Sequence, residues 1–392
     1  MKNLKDLEPH VLDKKAFKSF LEIGFPTKKV EEYKYLDLTF LNDRDLKPID
    51  SNLNLDSNLD SLKPYLFNEK DFYNLVFING KFHESISNVP NSIKISKILN
   101  RSTTSHSLRN LNLSFNIERL KFHFTQNLDK PIAFVHINSC ENLDSRSVFT
   151  NNEISLDKNV KIQMIDKFVN HKQNDLLNNN IFDIRLDSNS YLDHYIIEKS
   201  ENLQFNHYKI EIDDFAKYKG FLINTKSKIS RFDFEINLNK TEAAAEINGI
   251  YIAENTQTLD HYIKTNHKSK KTYSSHYLKG IIKDRAKGIF YASTIAEKNA
   301  QKIEAKQLNK NLLLDKTAKS FSKPELWIKA DDVKCSHGST TGQLDKEALF
   351  YLQSRGFEKK DARELLLKAF IEEIIEKIDQ KDIKKHIKDK IL

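Results

Sequence analysis

Three observations in the sequence predict a mainly β chain with helical ends. Between about residues 130 and 330, short runs alternate apolar and polar residues, bounded by Asn, Asp, Ser or Lys clusters. Helical spacing is nearly absent from the same region. Finally, Leu192-Asp193-His194-Tyr195-Ile196 recurs as Leu259-Asp260-His261-Tyr262-Ile263, which points to stacked structural repeats, as in a β-helix. Alternation by itself leaves sandwich, barrel and solenoid open.

Residues 1 to about 48 read as helical with turns. Phe17, Phe20 and Leu21 recur at helical spacing, and Gly24-Phe25-Pro26 ends that helix. Thr27 is placed to cap a second helix with Val30, Tyr33 and Leu36 on one face. Residues 49–70, rich in Asn, Asp, Ser and Leu, read as a loop or ragged helix. Residues 74–82 carry a strand-turn-strand signal with Asn79-Gly80 at the turn. Residues 95–120 are ambiguous, and within them Leu111, Leu113, Phe115 and Ile117 alternate onto one side.

The alternating runs follow at 133–137, 161–165, 184–186, 208–212 and 232–238. With only 9 glycines in the chain, the corners between them must rely on Asn, Asp and Ser. His194, His207, His261, His267 and His276 lie here without metal-motif spacing and read as ordinary polar residues of strands and corners. Residues 324–328 read as a final strand. Residues 338–342 then read as a tight turn, and Asp345 as the cap of a helix with Ala348, Leu349 and Leu352 on one face, stopped by Gly356. A second helix begins near Asp361 with an apolar stripe of Leu365, Leu366, Ala369, Phe370, Ile374 and Ile378. The tail from Lys381 reads as a short or frayed helix.

The bulk properties narrow the function. Lys and Arg number 63 against 55 Asp and Glu, for a net charge of +8. Both signs are interleaved, as in Glu31-Glu32-Tyr33-Lys34, so the excess reads as a solvated lysine-rich surface and not as a nucleic-acid site. The two cysteines, Cys140 and Cys335, are far apart with no CxxC, which fits a reducing compartment and no disulfide framework. No apolar signal-peptide core opens the sequence, and no run of about 18 apolar residues occurs, so a soluble cytoplasmic protein without a membrane span is expected.

One short stretch carries candidate chemistry. If residues 331–337 form a strand, Cys335 and His337 share a face, with Cα atoms ~6.5–7 Å apart. A thiolate and an imidazole together suit Fe–S, Cu(I) or zinc. Two ligands do not close a structural zinc site. The pair is therefore half of a site completed elsewhere, or it is a small buried thiol beside a hydrogen-bonded strand histidine.

The run KCSHGSTTGQLDKEALFYLQSRGF, residues 334–357, closely resembles the C-terminal signature of the SufD branch of the SufB/SufD family, scaffolds of iron–sulfur cluster assembly. The SufB branch carries a different segment in place of Lys334-Cys335-Ser336-His337-Gly338. At the other end, Gly24-Phe25-Pro26-Thr27-Lys28-Lys29 and Glu31-Glu32-Tyr33-Lys34-Tyr35 resemble the family's N-terminal motif, with Tyr33 where a Trp and Leu36 where a Thr is usual. Gln301, Ala305, Gln307 and Asn311 match the pattern of its last β-helix turns.

The resemblance implies a right-handed parallel β-helix flanked by helical ends. This divides the chain into an N-terminal helical region (1–70), a β-helix core (71–337) and a C-terminal helical domain (338–392). It implies a complex with a SufB-like paralogue and a SufC-like ABC ATPase, and leaves open a homodimer when the chain is alone. His337 matches the histidine that works at the interface with SufB, as ligand to a transient Fe–S cluster or to iron, with Cys335 beside it. Leu349, Leu352, Leu366, Phe370 and Ile374 are expected to dock the ATPase. The alternative is a structural subunit that stabilises SufB and docks SufC but supplies no ligand.

Other chemistry has no support in the residues. Gly338-Ser339-Thr340-Thr341-Gly342 lacks the Lys of a P-loop, so no nucleotide site of its own and no enzymatic ATP hydrolysis are expected. Nothing in the sequence orients His337 as a base for a Cys335 nucleophile. Flavin binding cannot be read from the residues.

Overall fold

Strands that alternate in polarity bury one face against a second sheet, and this chain builds both sheets by folding back at every half turn. The computed structural model describes residues 7–49, 59–99, 103–139, 144–171, 175–381, 383–385 and 388, and shows a parallel β-solenoid of about seven turns. Cys140, much of the 49–70 segment and most of the tail beyond 381 lie outside the described residues.

In chain order the strands begin with β1 (Lys47–Pro48), β2 (Tyr73–Ile78), β3 (Lys81–Phe82), β4 (Ile93–Lys97), β5 (Arg119–Phe124), β6 (Ile132–Asn138), β7 (Asp144–Leu156), β8 (Lys161–Asn170), β9 (Asp175–Leu186) and β10 (Tyr191–Glu198). They continue with β11 (Leu203–Ile212), β12 (Lys217–Asn224), β13 (Ile229–Leu238), β14 (Ala244–Ala253), β15 (Thr258–His267), β16 (Tyr273–Ile282), β17 (Lys287–Ala296), β18 (Ile303–Leu313), β19 (Lys319–Ile328) and β20 (Val333–Gly342). Helices α1 (Lys14–Ile23) and α2 (Ser107–Phe115) lie before the main stack, and α3 (Lys346–Ser354) and α4 (Lys359–Ile375) after it.

From β5 onward, odd-numbered strands form one sheet, A, and even-numbered strands the other, B. Pairing along both stacks is parallel and in register: Ile229, Thr258 and Lys287 lie one above another in sheet A. The interior between the sheets is an apolar core that includes Met164, Leu192, Phe234, Ile247 and Phe290. At the beginning of the stack, the short antiparallel strands β3 and β4 end the sheets. At the far end the ten-residue strands β19 and β20 have no outer neighbour among the described residues.

The repeated sequence Leu-Asp-His-Tyr-Ile belongs to β10 in sheet B and to β15 in sheet A, so its two copies do not stack on one another. They share a phase within the half turn: each begins at the second residue of its strand. The corners are the true repeat. Asn159, Asn189, Asn255 and Asp284 adopt left-handed φ there, but so do Phe215, Glu242, Lys271 and Lys302, which the expectation of Asn, Asp and Ser corners did not cover. A small residue follows several of them. Ala216, Ala243 and Ala286 are fully buried, and each donates its N–H to the carbonyl three residues back.

Both outer faces are covered. The N-terminal elements pack on sheet A, where Phe17, Phe20, Leu108, Leu111 and Phe115 meet Phe149, Leu177, Phe205 and Ile289. Asp13 caps α1 by accepting from the Ala16 N–H at 2.9 Å, and Gly24 at φ +72° ends it. No second helix follows. Thr27 Oγ1 accepts from the Lys29 N–H, but the chain continues in short 3₁₀ turns at Glu31–Tyr33 and Thr39–Asp43. Tyr33 and Leu36 are buried but Val30 is exposed, so the three do not share one buried helical face, and Asp37 bonds Thr39 locally in competition with a helix. The alternating residues from Leu111 to Phe115 are helical, not extended, because Leu108, Leu111 and Phe115 then fall on one buried face. Ile117 lies past the helix end and is exposed.

Sheet B is covered by α4. Ile371, Ile374, Ile375 and Ile378 pack on Tyr195, Phe221, Ile250 and Tyr277. The Lys279 ammonium anchors the helix, donating to Glu373 Oε2 at 2.5 Å and to the Phe370 carbonyl at 2.6 Å. The buried stripe is thus rotated from the one read in sequence, and Leu365 is exposed. Residues 338–342 are not a turn. They extend β20, pairing with 308–312 of β18 in unbroken register, and the strand crosses residue 337.

Candidate functional site

The register of sheet B decides where Cys335 and His337 point. Cys335 stacks on Ala305, Ser274 and Ala245, and His337 on Gln307, His276 and Ile247. Ala245 and Ile247 belong to the core between the sheets. Both site residues therefore lie in inward-facing columns at the uncovered end of the solenoid. The Cys335 side chain is half-buried against Ala296, Ala300 and Ile303, and this burial raises its thiol pKa. His337 is exposed, and no described side chain bonds its imidazole.

Below these two residues the interior turns from apolar to polar. Gln307 reaches across to sheet A, donating to Thr294 Oγ1 at 2.7 Å and to the Glu325 carbonyl at 3.2 Å. One turn deeper, His276 Nε2 and Thr265 Oγ1 bond at 2.8 Å across the same gap. Asn309 donates to the Leu278 carbonyl and Asn311 to Asn309, and the Tyr251 hydroxyl bonds Asn311. Gln307 and Asn311 carried a pattern signal in sequence; His276, read there as an ordinary polar residue, carried none.

The other histidines of the strands are also buried. His194 bonds Asp166 at 3.0 Å and the Tyr218 hydroxyl at 3.0 Å. Burial works to raise the Asp166 pKa, but the charges and hydrogen bonds of His194 and His136 hold it at about 2. His261 bonds the Ile289 carbonyl and Asn224. His267 bonds Thr272 and Ser274. Burial pushes His261 and His276 down to about 4 and His267 to about 3. Reading them as ordinary polar residues is thus corrected: alternation gives an inward-facing strand histidine the same phase as a core leucine.

His207 differs from these, because it points out of sheet A. It lies opposite Asp233 in the β11–β13 register, with Nδ1 3.6 Å from Asp233 Oδ2. His106, just before α2, brings Nε2 to 3.2 Å from the same oxygen. The donor atoms of the three residues all lie within 4.8 Å of one another. A cavity of about 520 Å³, lined in part by Thr27, Tyr33, Arg109, Lys209 and Lys264, opens beside them. Sequence reasoning missed this cluster, since its members are 26 to 127 positions apart.

The expected docking residues separate. Leu349 and Leu352 on α3 and Leu366 and Phe370 on α4 are half-buried. Ile374 is fully buried in this chain's own core, so its reading as a partner contact is corrected. The exposed apolar side chains of this end are Phe350, Tyr351, Phe357 and Leu365, with Trp327 and Ile328 on β19. None of the α3 residues is buried. Among the described residues, no helix is long and apolar enough to cross a membrane.

Comparison with known proteins places this architecture. Residues 136–370 match the model of the SUF system FeS cluster assembly, SufBD core domain, and residues 10–162 match that of the SufBD protein N-terminal region. The chain is 27% identical to an iron–sulfur cluster assembly SufBD family protein of Synechocystis over 91% of its own length and 84% of the relative's. It is 25% identical to the iron–sulfur cluster assembly protein SufD of Escherichia coli, over 94% and 88% of the two chains. A chloroplastic protein of Arabidopsis thaliana, ABCI7, is 23% identical over 93% and 82%.

Proposed function

The chain belongs to the SufBD family of the SUF iron–sulfur cluster assembly system, and from that premise we propose that it is a SufD-like scaffold subunit. In this reading it joins a SufB-like paralogue, shares a nascent Fe–S cluster with it, and docks a SufC-like ABC ATPase. The cluster is cargo, assembled and passed on. The chain contributes positioning and one ligand, not ATP hydrolysis.

The placement of His337 carries the proposal. It lies on an edge strand whose outer hydrogen-bonding groups have no neighbour among the described residues, at the open end of a polar interior. An open strand edge recruits another strand. A partner strand laid along β20 would bring further ligands to His337, which resolves the ligand deficit of a two-residue site. The imidazole is the better candidate of the pair. Cys335 packs on alanines, and its raised pKa disfavours the thiolate that binds metal. Without a paralogue, a second copy of the chain is the occupant expected on the same edge.

A second reading keeps the subunit structural, with no ligand of its own, and one observation favours it: no described side chain orients His337. The two separate on anaerobic co-expression with SufB and SufC. His337→Ala should leave the complex assembled but reduce its iron and sulfide content and visible absorption severalfold. Equal cluster content in the variant complex would refute the ligand role and leave the structural reading.

A further inference from the structure

We propose that His106, His207 and Asp233 form a second site, for one divalent first-row transition-metal ion of the Fe²⁺ or Zn²⁺ class, on the outer face of sheet A. Two imidazoles and one carboxylate with open positions are a recognised donor set for such ions. With metal–nitrogen distances of ~2.1 Å, tetrahedral ligands stand ~3.4 Å apart. The Asp233 oxygen is 3.2 Å from His106 Nε2 and 3.6 Å from His207 Nδ1, close to that spacing, while the donor set as a whole spans 4.8 Å, so the imidazoles would draw together on binding.

The fold holds each donor. His207 and Asp233 are locked side by side by the strand register and are both buried. His106 is held by Thr104, whose hydroxyl accepts from the His106 N–H at 3.1 Å and donates to its carbonyl at 3.3 Å. The cavity alongside leaves room for water in the remaining positions. Among the neighbouring charges, Arg231 Nη2 is 3.6 Å from Asp233, but Nη1 is bonded to Asp260 at 2.6 Å, which offsets its charge. Arg109 is paired with Asp183 at 2.7 Å. The far-side nitrogens, His106 Nδ1 and His207 Nε2, have no partner among the described residues. The site thus lacks the outer hydrogen bonds that strengthen metal ligands, which weakens its hold on the ion.

The site would pin the loop before α2 to the solenoid, joining position 106 to position 233. It shares no residue with His337 and Cys335 and does not depend on the cluster-assembly reading. The test uses the purified full-length chain and Co²⁺ as probe, followed by visible absorption and calorimetry. One equivalent should bind with nitrogen and oxygen ligation and no thiolate charge-transfer band. Binding should weaken roughly a hundredfold in His106→Ala and persist in Cys335→Ala/His337→Ala. One equivalent of Zn²⁺ should raise the melting temperature of the wild type and not of His106→Ala. Because His106 is partly exposed, folding of the variant is checked by far-UV circular dichroism, and His106→Gln repeats the comparison with a hydrogen-bonding side chain kept. Equal Co²⁺ affinity in wild type and both His106 variants would overturn the site, as would loss of binding only in the Cys335/His337 variant.

Discussion

Arg231→Leu should destabilise the chain by about 3–5 kcal/mol, the cost of stranding buried charge. Arg231 is 1% exposed on the outer face of β13. Its Nη1 donates to Asp260 Oδ2 at 2.6 Å and to the Glu32 carbonyl at 2.8 Å, and its Cζ lies 3.9 Å from the Tyr33 ring centroid and 4.9 Å from that of Tyr262. Leucine fills much of the volume but leaves Asp260 and Asp233 buried without this counter-charge. The stacked rings add about 0.5–2 kcal/mol. Since Glu32 and Tyr33 belong to the N-terminal layer, the same change should speed protease cleavage between residues 24 and 49. Urea unfolding measures the loss. Asp260→Leu added to Arg231→Leu should recover at least about 1.5 kcal/mol, since removing both charges together is far cheaper than removing one. A single-variant loss under about 1 kcal/mol, or a strictly additive double variant, would refute the account of Arg231 as the bolt between layer and solenoid.

Two further outcomes follow from burial. Ile374→Ala, which opens a cavity beneath α4, should cost about 2–5 kcal/mol. Phe350→Ala should leave stability within about 0.5 kcal/mol yet weaken co-purification with SufC; equal stability of the two variants in urea would show that α4 does not pack as described. Glu198 is buried, and burial raises its carboxyl pKa to about 8 from 4.5. Its folded-state value is the higher one, so its contribution to stability is complete below pH 4.5 and is lost as pH rises toward 8, at up to ~1.4 kcal/mol per pH unit. Glu198→Gln keeps the acceptor for the Ser200 N–H and should flatten that decline. Melting curves from pH 5 to 9 that run parallel in both proteins would contradict it.

Much of the fold was legible because strand alternation and helix caps are local. The 74–82 hairpin, the cap at Asp345 and the stop at Gly356 depend on a few neighbouring residues each. What was misread depends on distant partners. Alternation over Leu111–Ile117 fits a strand as well as a helix until Phe149 and Phe205 of sheet A are in place to receive one face. The Leu-Asp-His-Tyr-Ile echo pointed to a repeat but marked half turns on opposite sheets. The buried alanines after the corners repeat more faithfully, yet a lone Ala carries no signal in sequence. His337 was visible through its motif. The neighbours that give it meaning, Gln307 and His276, sit one and two turns away, and only the register aligns them.

The same register leaves the chain's open strand edges at its end and not along its sides. Sheet A is occupied by the N-terminal layer and sheet B by α4, so much of both long outer faces is already buried within the chain. A solenoid's one remaining liability is its last rung, where N–H and C=O groups face outward unpaired. At the start of the stack, β3 has two residues and β4 five, and both run antiparallel to their neighbours, which limits further addition. At the other end β19 and β20 present ten residues each, with Trp327 and Ile328 exposed on β19. Just beyond, α3 projects Phe350 and Tyr351 with no surface of its own to cover them. An open strand edge and an uncovered helix call for partners of different kinds. A subunit that pairs by strands through one and docks an ATPase through the other satisfies both, with His337 on the strand where the first partner would arrive.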